Sequence, residues 1–392
     1  MLNLCRLQRL FIMPAVSSPV GVCIRCLMLV VFFSSSANAD RLDAPALKTP
    51  RATSGLLLDI AKAGDRLVAV GDQGVILLSD TQGRQWQQAD VPTSVMLTAV
   101  TFVTDSIGWA VGHDGVLLRT SDAGLNWRVV MTGNELNALQ VEQFQRLIDA
   151  GGDSAMPELA VDELSYYLDD AIVAQEDGPS LPLLNVFFSD SDHGFVMGAY
   201  GLLIATQDGG DSWKVLSHRV PNPDRFHLNA MTGDAHYLYL AGEAGILYRS
   251  GDQGEHWEAL DSPYEGSFFD INVYRGEVLL AGLRGHLFTS PDQGITWGQV
   301  AIDTPSTLSA VASRDNQSLL IAGQGGSVLL GEQSHRLQLL NQSDRRGWSA
   351  AVPVKNGWVL VGEKGVKLID RLGEAISLHA SEQKGIAMRA QP

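Results

Sequence analysis

The chain has 392 residues, with 28 basic against 44 acidic side chains and a formal net charge of −16. That acidity disfavours nucleic acid and anionic lipid as partners, because phosphate binding needs a basic surface. All three cysteines (Cys5, Cys23 and Cys26) lie in the first 39 residues, so the remainder carries no thiol chemistry, no disulfide and no cysteine-held metal.

Residues 1–39 read as a secretory signal. Arg6, Arg9 and Arg25 supply positive charge, an apolar stretch runs from Cys26 to Phe33, and small residues end in Ala37-Asn38-Ala39. Met13 is an alternative start. The apolar stretch is too short to span a bilayer comfortably, which disfavours a retained anchor. The expectation is export, to the periplasm or beyond, with a soluble product after cleavage near Ala39. Loss of the three leader arginines leaves 25 basic and 44 acidic residues, a net −19.

Residues 40–53 read as a linker, and from residue 54 to 392 a phrase recurs. A G-x-x-G pair precedes a short apolar run and, usually, [ST]-x-D-x-G-x-x-W. The pairs are Gly71/Gly74, Gly112/Gly115, Gly198/Gly201, Gly242/Gly245, Gly282/Gly285, Gly323/Gly326 and Gly362/Gly365. Successive first glycines are 41, 86, 44, 40, 41 and 39 residues apart. A period near 40 built from strand-like units predicts an all-β, seven-bladed β-propeller. The second unit shows the plan: strands at Leu97–Val103, Trp109–Gly112, Val116–Thr120 and Trp127–Val130, joined by tight turns.

The tail phrase occurs as Thr120/Asp122/Gly124/Trp127, Thr206/Asp208/Gly210/Trp213, Ser250/Asp252/Gly254/Trp257 and Ser290/Asp292/Gly294/Trp297. The first unit departs from it (Ser79, Thr81, Gly83, Trp86), and the sixth and seventh lack it. A hydroxyl and a carboxylate at this spacing bond backbone N–H groups within a turn, and the tryptophan buries its ring. These aspartates are therefore assigned to structure rather than to catalysis or calcium.

The 86-residue step holds a helical insertion at 132–182, between blades two and three. Leu136, Leu139, Phe144, Leu147 and Ile148 recur at helical spacing, as do Leu159, Leu164, Tyr167, Leu168, Ala171 and Ile172. Gly151-Gly152 and Pro157 divide the segment into a helical hairpin. From Asn134 to Gly178 there are eleven acidic residues and one basic one, Arg146. Glu135, Glu142, Asp149, Asp162, Asp169 and Glu176 mark acids recurring along the helices. They are either a solvated face or an electrostatic docking surface for a basic partner. The insertion joins a fourth strand to a first strand, so it belongs to the face of the G-x-x-G tips and is expected to overhang the central opening.

There is no H-E-x-x-H, G-x-S-x-G or P-loop, and no cysteine ligand set. No metal or cofactor is expected, and no catalytic residue is assigned. Arg219-Val220-Pro221 is similar to the Arg-Ile-Pro motif of sialidases, but it follows the tail phrase of the third unit where that motif precedes the first.

The G-x-x-G hairpins and tail phrases, such as Ala281 to Gly285 followed by Ser290 to Trp297, resemble the photosystem II stability/assembly factor family of seven-bladed Asp-box (BNR) propellers. The resemblance spans roughly residues 54–380 apart from the insertion. It implies an assembly factor of the thylakoid lumen or of a bacterial envelope, with an arginine-rich patch that contacts a protein partner. Here the tips read Asp72-Gln73, His113-Asp114, Ala199-Tyr200, Glu243-Ala244, Leu283-Arg284, Gln324-Gly325 and Glu363-Lys364, with one arginine among them. The reading is a non-enzymatic exported scaffold for an envelope or membrane protein complex. Its candidate contacts are Asp72, His113, Asp114, Tyr200, Glu243, Arg284, Gln324 and Lys364, with the insertion's acids. The alternative is an Asp-box glycoside hydrolase or a glycan-binding propeller.

Overall fold

The computed structural model describes residues 41–340 and 344–376. The expected leader and its three cysteines lie outside the described residues. Seven antiparallel sheets follow one another over 57–88, 97–131, 183–215, 228–259, 268–299, 308–340 and 348–370. In each sheet the strands pair in chain order. The first strand of every sheet packs beside the first strand of the next, and that of the seventh beside Leu57–Ala63 of the first. The all-β, seven-bladed ring predicted from the repeat is the observed fold.

Each inner strand opens on a large apolar residue with no exposed surface: Leu57, Leu97, Leu183, Leu228, Phe268, Leu308 or Trp348. A β-bulge follows one residue later in all seven blades. The bulge raises the local twist. The G-x-x-G spacing has a steric cause. A Cβ on Gly71 would stand 2.1 Å from the Leu56 carbonyl oxygen, and Gly74 has φ +70° with its Cα facing the Thr93 carbonyl of the outgoing loop. The tips of blades one, two, four and five are pressed in this way under the loop that leaves their own blade, and that of blade seven against Thr53.

The tail phrases form the turns between third and fourth strands. Thr120 Oγ1 donates to Asp122 Oδ1 at 2.9 Å and accepts from Gly124 N at 3.0 Å, while Asp122 Oδ1 accepts from Asn126 N at 2.9 Å. The same bonds recur at Thr206/Asp208, Ser250/Asp252 and Ser290/Asp292. In the first blade Thr81 takes the aspartate's place and accepts from Gln85 N at 2.8 Å, which explains how that unit tolerates the departure. Blade six has no such turn; its outer strands Val328–Gln333 and Arg336–Leu340 are longer and meet in a tight hairpin.

Blade seven has three described strands. The sequence reads as completing this blade through Glu374–His379, where the described residues hold a bridge between Ile369 and Ala375 and Ile376 N donating to Leu368 O at 2.9 Å. Residues 377–379 lie outside the described residues. The ring closes by side-chain packing of Leu57, Leu67 and Leu77 against Val352, Val359 and Leu368. No strand is exchanged between blades one and seven among the described residues. Residues 41–49 run along the outer edge of blade one instead, with Ala46 N on Val91 O and Thr49 N on Gln88 Oε1. That covers an edge which would otherwise offer unpaired backbone groups.

Candidate functional site

The seven tips share a face because second-to-third and fourth-to-first connections lie at the same end of an antiparallel blade. His113, Tyr200, Arg284, Gln324 and Lys364 are exposed there, while Asp72, Asp114 and Glu243 are half-buried. Several tip groups are already engaged. Asp72 Oδ1 accepts from Gln73 N at 2.8 Å. Asp114 pairs with Arg41 at 3.0 Å. Glu243 accepts from His227 N at 3.2 Å, and the His227 ring meets Tyr200 edge-to-face at 5.2 Å. The second tip residue is held at positive φ in six of the hairpins, Tyr200 at 57° among them.

The insertion folds into two helices, α1 (Gly133–Asp149) and α2 (Val161–Asp177). Thr132 and Glu135 form a capping box at the start of α1: Thr132 N donates to Glu135 Oε2 at 2.7 Å and Glu135 N to Thr132 Oγ1. Glu135 is therefore a cap. Glu142 faces Arg146, Asp149 accepts from Gln145 at 2.9 Å, and Asp162, Asp169 and Glu176 are exposed on α2.

The hairpin does not overhang the central opening. It leaves the tip face beside His113–Gly115 and packs along the outer strand of blade three, Lys214–Val215. Val215 N donates to Gln143 Oε1 at 2.8 Å, and Gln143 Nε2 donates to Val215 O at 2.6 Å, so one amide side chain caps an edge strand as a neighbouring strand would. Leu136, Phe144, Leu164 and Ala171 join Trp213, Val215 and Leu202 in one apolar cluster. The helices bury apolar surface along the outer strand of blade three, and this outweighs the geometry of the connection alone.

A polar network absent from the sequence reading fastens the hairpin. Asp153, buried between the helices, accepts from His218 Nε2 at 2.8 Å and from Arg219 Nε at 2.9 Å. Arg219 also pairs with Glu255 of blade four. His256 Nε2 reaches the Ala155 carbonyl oxygen at 2.9 Å. Burial holds the His218 imidazole below its ordinary pKa against the pull of Asp153. Burial pushes the Asp153 carboxyl up, but hydrogen bonds from His218 and Ala155 N, with the Arg219 charge, bring it below the usual range. Arg219, the arginine of the sialidase-like tripeptide, is thus committed to the outer wall. The sequence signal was weak: an aspartate after Gly151-Gly152 looks like any turn residue.

Two further carboxylates escaped the sequence reading. Asp59 and Asp270 follow the bulges of blades one and five, and each accepts from the next blade's inner strand, at Val100 N (2.8 Å) and Val311 N (2.7 Å). Burial pushes both up to about 7, against those backbone bonds. They staple neighbouring blades.

Between α2 and the tip of blade three lies a cleft of about 390 Å³. Phe144, Ala171 and Leu202 line it, with Asp170 and Val173 on α2 and Tyr200 on the tip. Arg225 pairs with Asp170 and stacks at 4.6 Å over the Tyr167 ring, which fixes one wall. Among the described residues no group of three or more metal-ligating side chains comes together, and no helix is long and apolar enough to cross a membrane.

A family model described as photosynthesis system II assembly factor YCF48 matches residues 30–145 and 179–263. The unmatched stretch between them, 146–178, is the end of α1, the Asp153 loop and all of α2. Two photosystem II assembly proteins Ycf48 from Synechococcus strains are similar to this chain. One, from strain JA-2-3B'a(2-13), is 30% identical over 135 residues, 33% of this chain and 39% of that protein. The other, from strain JA-3-3Ab, is 33% identical over 93 residues, 22% and 27%. The matches thus span about two fifths or less of the relatives' length. Among solved structures, a YCF48 bound to a D1 peptide superposes with a TM-score of 0.56 at 14% identity, over 82% of this chain and 97% of that one. YCF48 from Cyanidioschyzon merolae gives 0.56 at 15%, with the same coverage. The WD40 propeller of Doa1 gives 0.53 at 9%, over 83% and 94%. At these identities the structures speak for the fold.

Proposed function

Since this chain belongs to the photosynthesis system II assembly factor YCF48 family, we propose that it is a non-enzymatic, exported scaffold that helps assemble an envelope or membrane protein complex. The observation that carries this reading is a closed ring whose tip face continues into an acidic helical hairpin locked to the outer wall. A rigid frame presents side chains without an ordering cost on binding. The YCF48 structure described as bound to a D1 peptide supports a protein as the class of partner. The charge favours a basic or polar target, with electrostatics setting encounter rate and specificity. The aspartates of the four tail-phrase turns are committed to their own backbone, which removes them as a glycosidase pair.

The test is retention of solubilised envelope complexes on the immobilised protein. The expected result is a protein complex that elutes as salt rises and that is lost when Asp162, Asp169 and Glu176 are changed together to lysine. These three lie on solvent, so the packing face of α2 survives the change. Turnover of chromogenic glycosides, or the absence of any retained complex, would overturn the reading.

A further inference from the structure

The family model passes over residues 146–178, and α2 within that stretch carries a surface that the fold itself does not use. Its inward residues Leu164 and Ala171 are buried. A second stripe at helical spacing faces out: Tyr166, Asp170, Val173 and Asp177. Tyr166 is 67% exposed and Val173 54%. Apolar and acidic side chains thus alternate along one line of the helix. Tyr200, 64% exposed, stands on the opposite wall of the cleft. Asp170 is neutralised by Arg225, whereas the Asp177 carboxylate has no partner among the described residues. Gln140 Nε2, also on the cleft, is shielded from solvent and reaches no acceptor, so a backbone carbonyl entering there would find a donor.

We infer that this cleft binds a segment of a partner protein in which apolar side chains alternate with lysine or arginine. The inference rests on the scaffold reading and names its recognition chemistry. Apolar side chains of the segment would cover Val173 and Tyr200, whose exposure to water is unfavourable. Its cations would meet Asp177 and the acidic outer face of α2. A protein of net −16 repels anionic headgroups and phosphates, so the occupant is a basic peptide segment rather than a membrane surface.

The experiment is a fluorescence-anisotropy titration of the full chain with short labelled peptides of alternating leucine and arginine. Variants are Val173→Arg, Asp177→Lys and Tyr200→Ala, with Glu142→Lys on α1 as a control of equal charge change away from the cleft. Circular dichroism and melting temperature confirm that each variant is folded. The expected result is binding to the wild-type chain that weakens about tenfold or more in Val173→Arg and Asp177→Lys and changes less than about twofold in Glu142→Lys. Peptides with glycine for leucine, or glutamate for arginine, bind weakly to the wild type, and Asp177→Lys recovers part of the affinity for the glutamate peptide. Equal loss in Glu142→Lys and Asp177→Lys would reduce the effect to diffuse charge and overturn the inference. So would indifference to Val173→Arg, or binding of a small apolar dye in the cleft with no peptide bound. Envelope complexes retained equally by the cleft variants would sink the cleft and leave the scaffold standing. Cleft-dependent peptide binding with no complex retained would do the reverse.

Discussion

Asp252 and Asp177 are both solvent-facing aspartates on the same acidic protein, and their surroundings are opposite. Asp252 sits in a repeated turn and accepts from Ser250 Oγ, His256 N and the His256 ring. Asp177 sits at the end of α2, in the stretch the family model passes over, and no described residue bonds it. The same contrast holds between the turns and α2 at large. Where the sequence repeats, polar side chains satisfy the backbone that the repeat itself strains. On the outer face of α2, Asp162, Asp169 and Glu176 are exposed and, like Asp177, satisfy no backbone group of the fold among the described residues. Substitutions in the repeat should therefore register as stability, and substitutions on α2 as binding.

The largest effect is expected inside a blade. Trp257 is buried among Phe195, Met197, Leu228 and Leu240, and its ring N–H reaches no acceptor, so its contribution is packing. Trp257→Ala should cost about 3–5 kcal/mol. Denaturant unfolding with an unchanged midpoint would contradict the buried-ring account. The seam between repeat and insertion should come next. Asp153→Ala leaves His218 and Arg219 without their shared acceptor and should cost about 3 kcal/mol, the low end for a broken buried ion pair. If proteolysis between the helices does not accelerate in that variant, the network is not what fastens the hairpin.

That seam also marks the limit of what the residues disclose. Blade number, the hydroxyl–aspartate turns and the presence of a helical hairpin within 132–182 are local: a period of about 40, a four-residue spacing and a 3.6-residue rhythm each leave a trace in the chain. The wall on which the helices rest leaves none. Periodicity shows that Leu136 and Phe144 share a face, but the partner surface, Trp213 and Val215, lies some seventy residues on. Connection geometry placed the helices over the channel because it weighed the loop and not the apolar area. Asp153 and His218 were illegible for the same reason, being 65 residues apart. Tyr200 was legible as an exposed tip residue, but its opposing wall on α2 was not.

Acidity should separate two classes of carboxylate within the ring. Asp59 and Asp270, pushed up to about 7 by burial, keep protons in the native state that the unfolded chain releases above its ordinary value near 3.8. Their stabilising contribution is present at low pH and lost as pH rises through about 7. Asp208 has the opposite sign. The Ser212 side chain and backbone, with the Thr206 hydroxyl, lower it to about 2, so its contribution is present above about pH 4 and lost on approach to pH 2. Unfolding at several pH values should show a fall on the order of a few kcal/mol between about pH 4 and 7. The Asp59→Asn/Asp270→Asn pair should flatten it, since an amide oxygen can still accept from Val100 and Val311. A slope that persists in the double variant would mean that other groups carry it.

The smallest stability effect, and the sharpest use of the comparison, lies on α2. Asp162, Asp169 and Glu176 are exposed, and the apolar residues that hold the helix are on its other side. Replacing each acid by asparagine should therefore move unfolding by no more than about 0.5 kcal/mol, the usual range for surface positions. A larger loss would mean that these acids support the helix itself, as Glu135 does by capping α1, and would place them with the turn aspartates. A gain in stability would be informative in the other direction. Asp162, Asp169, Glu176 and their acidic neighbours on α2 repel one another, and relief of that repulsion would favour the proposal that this charge is directed at a second molecule.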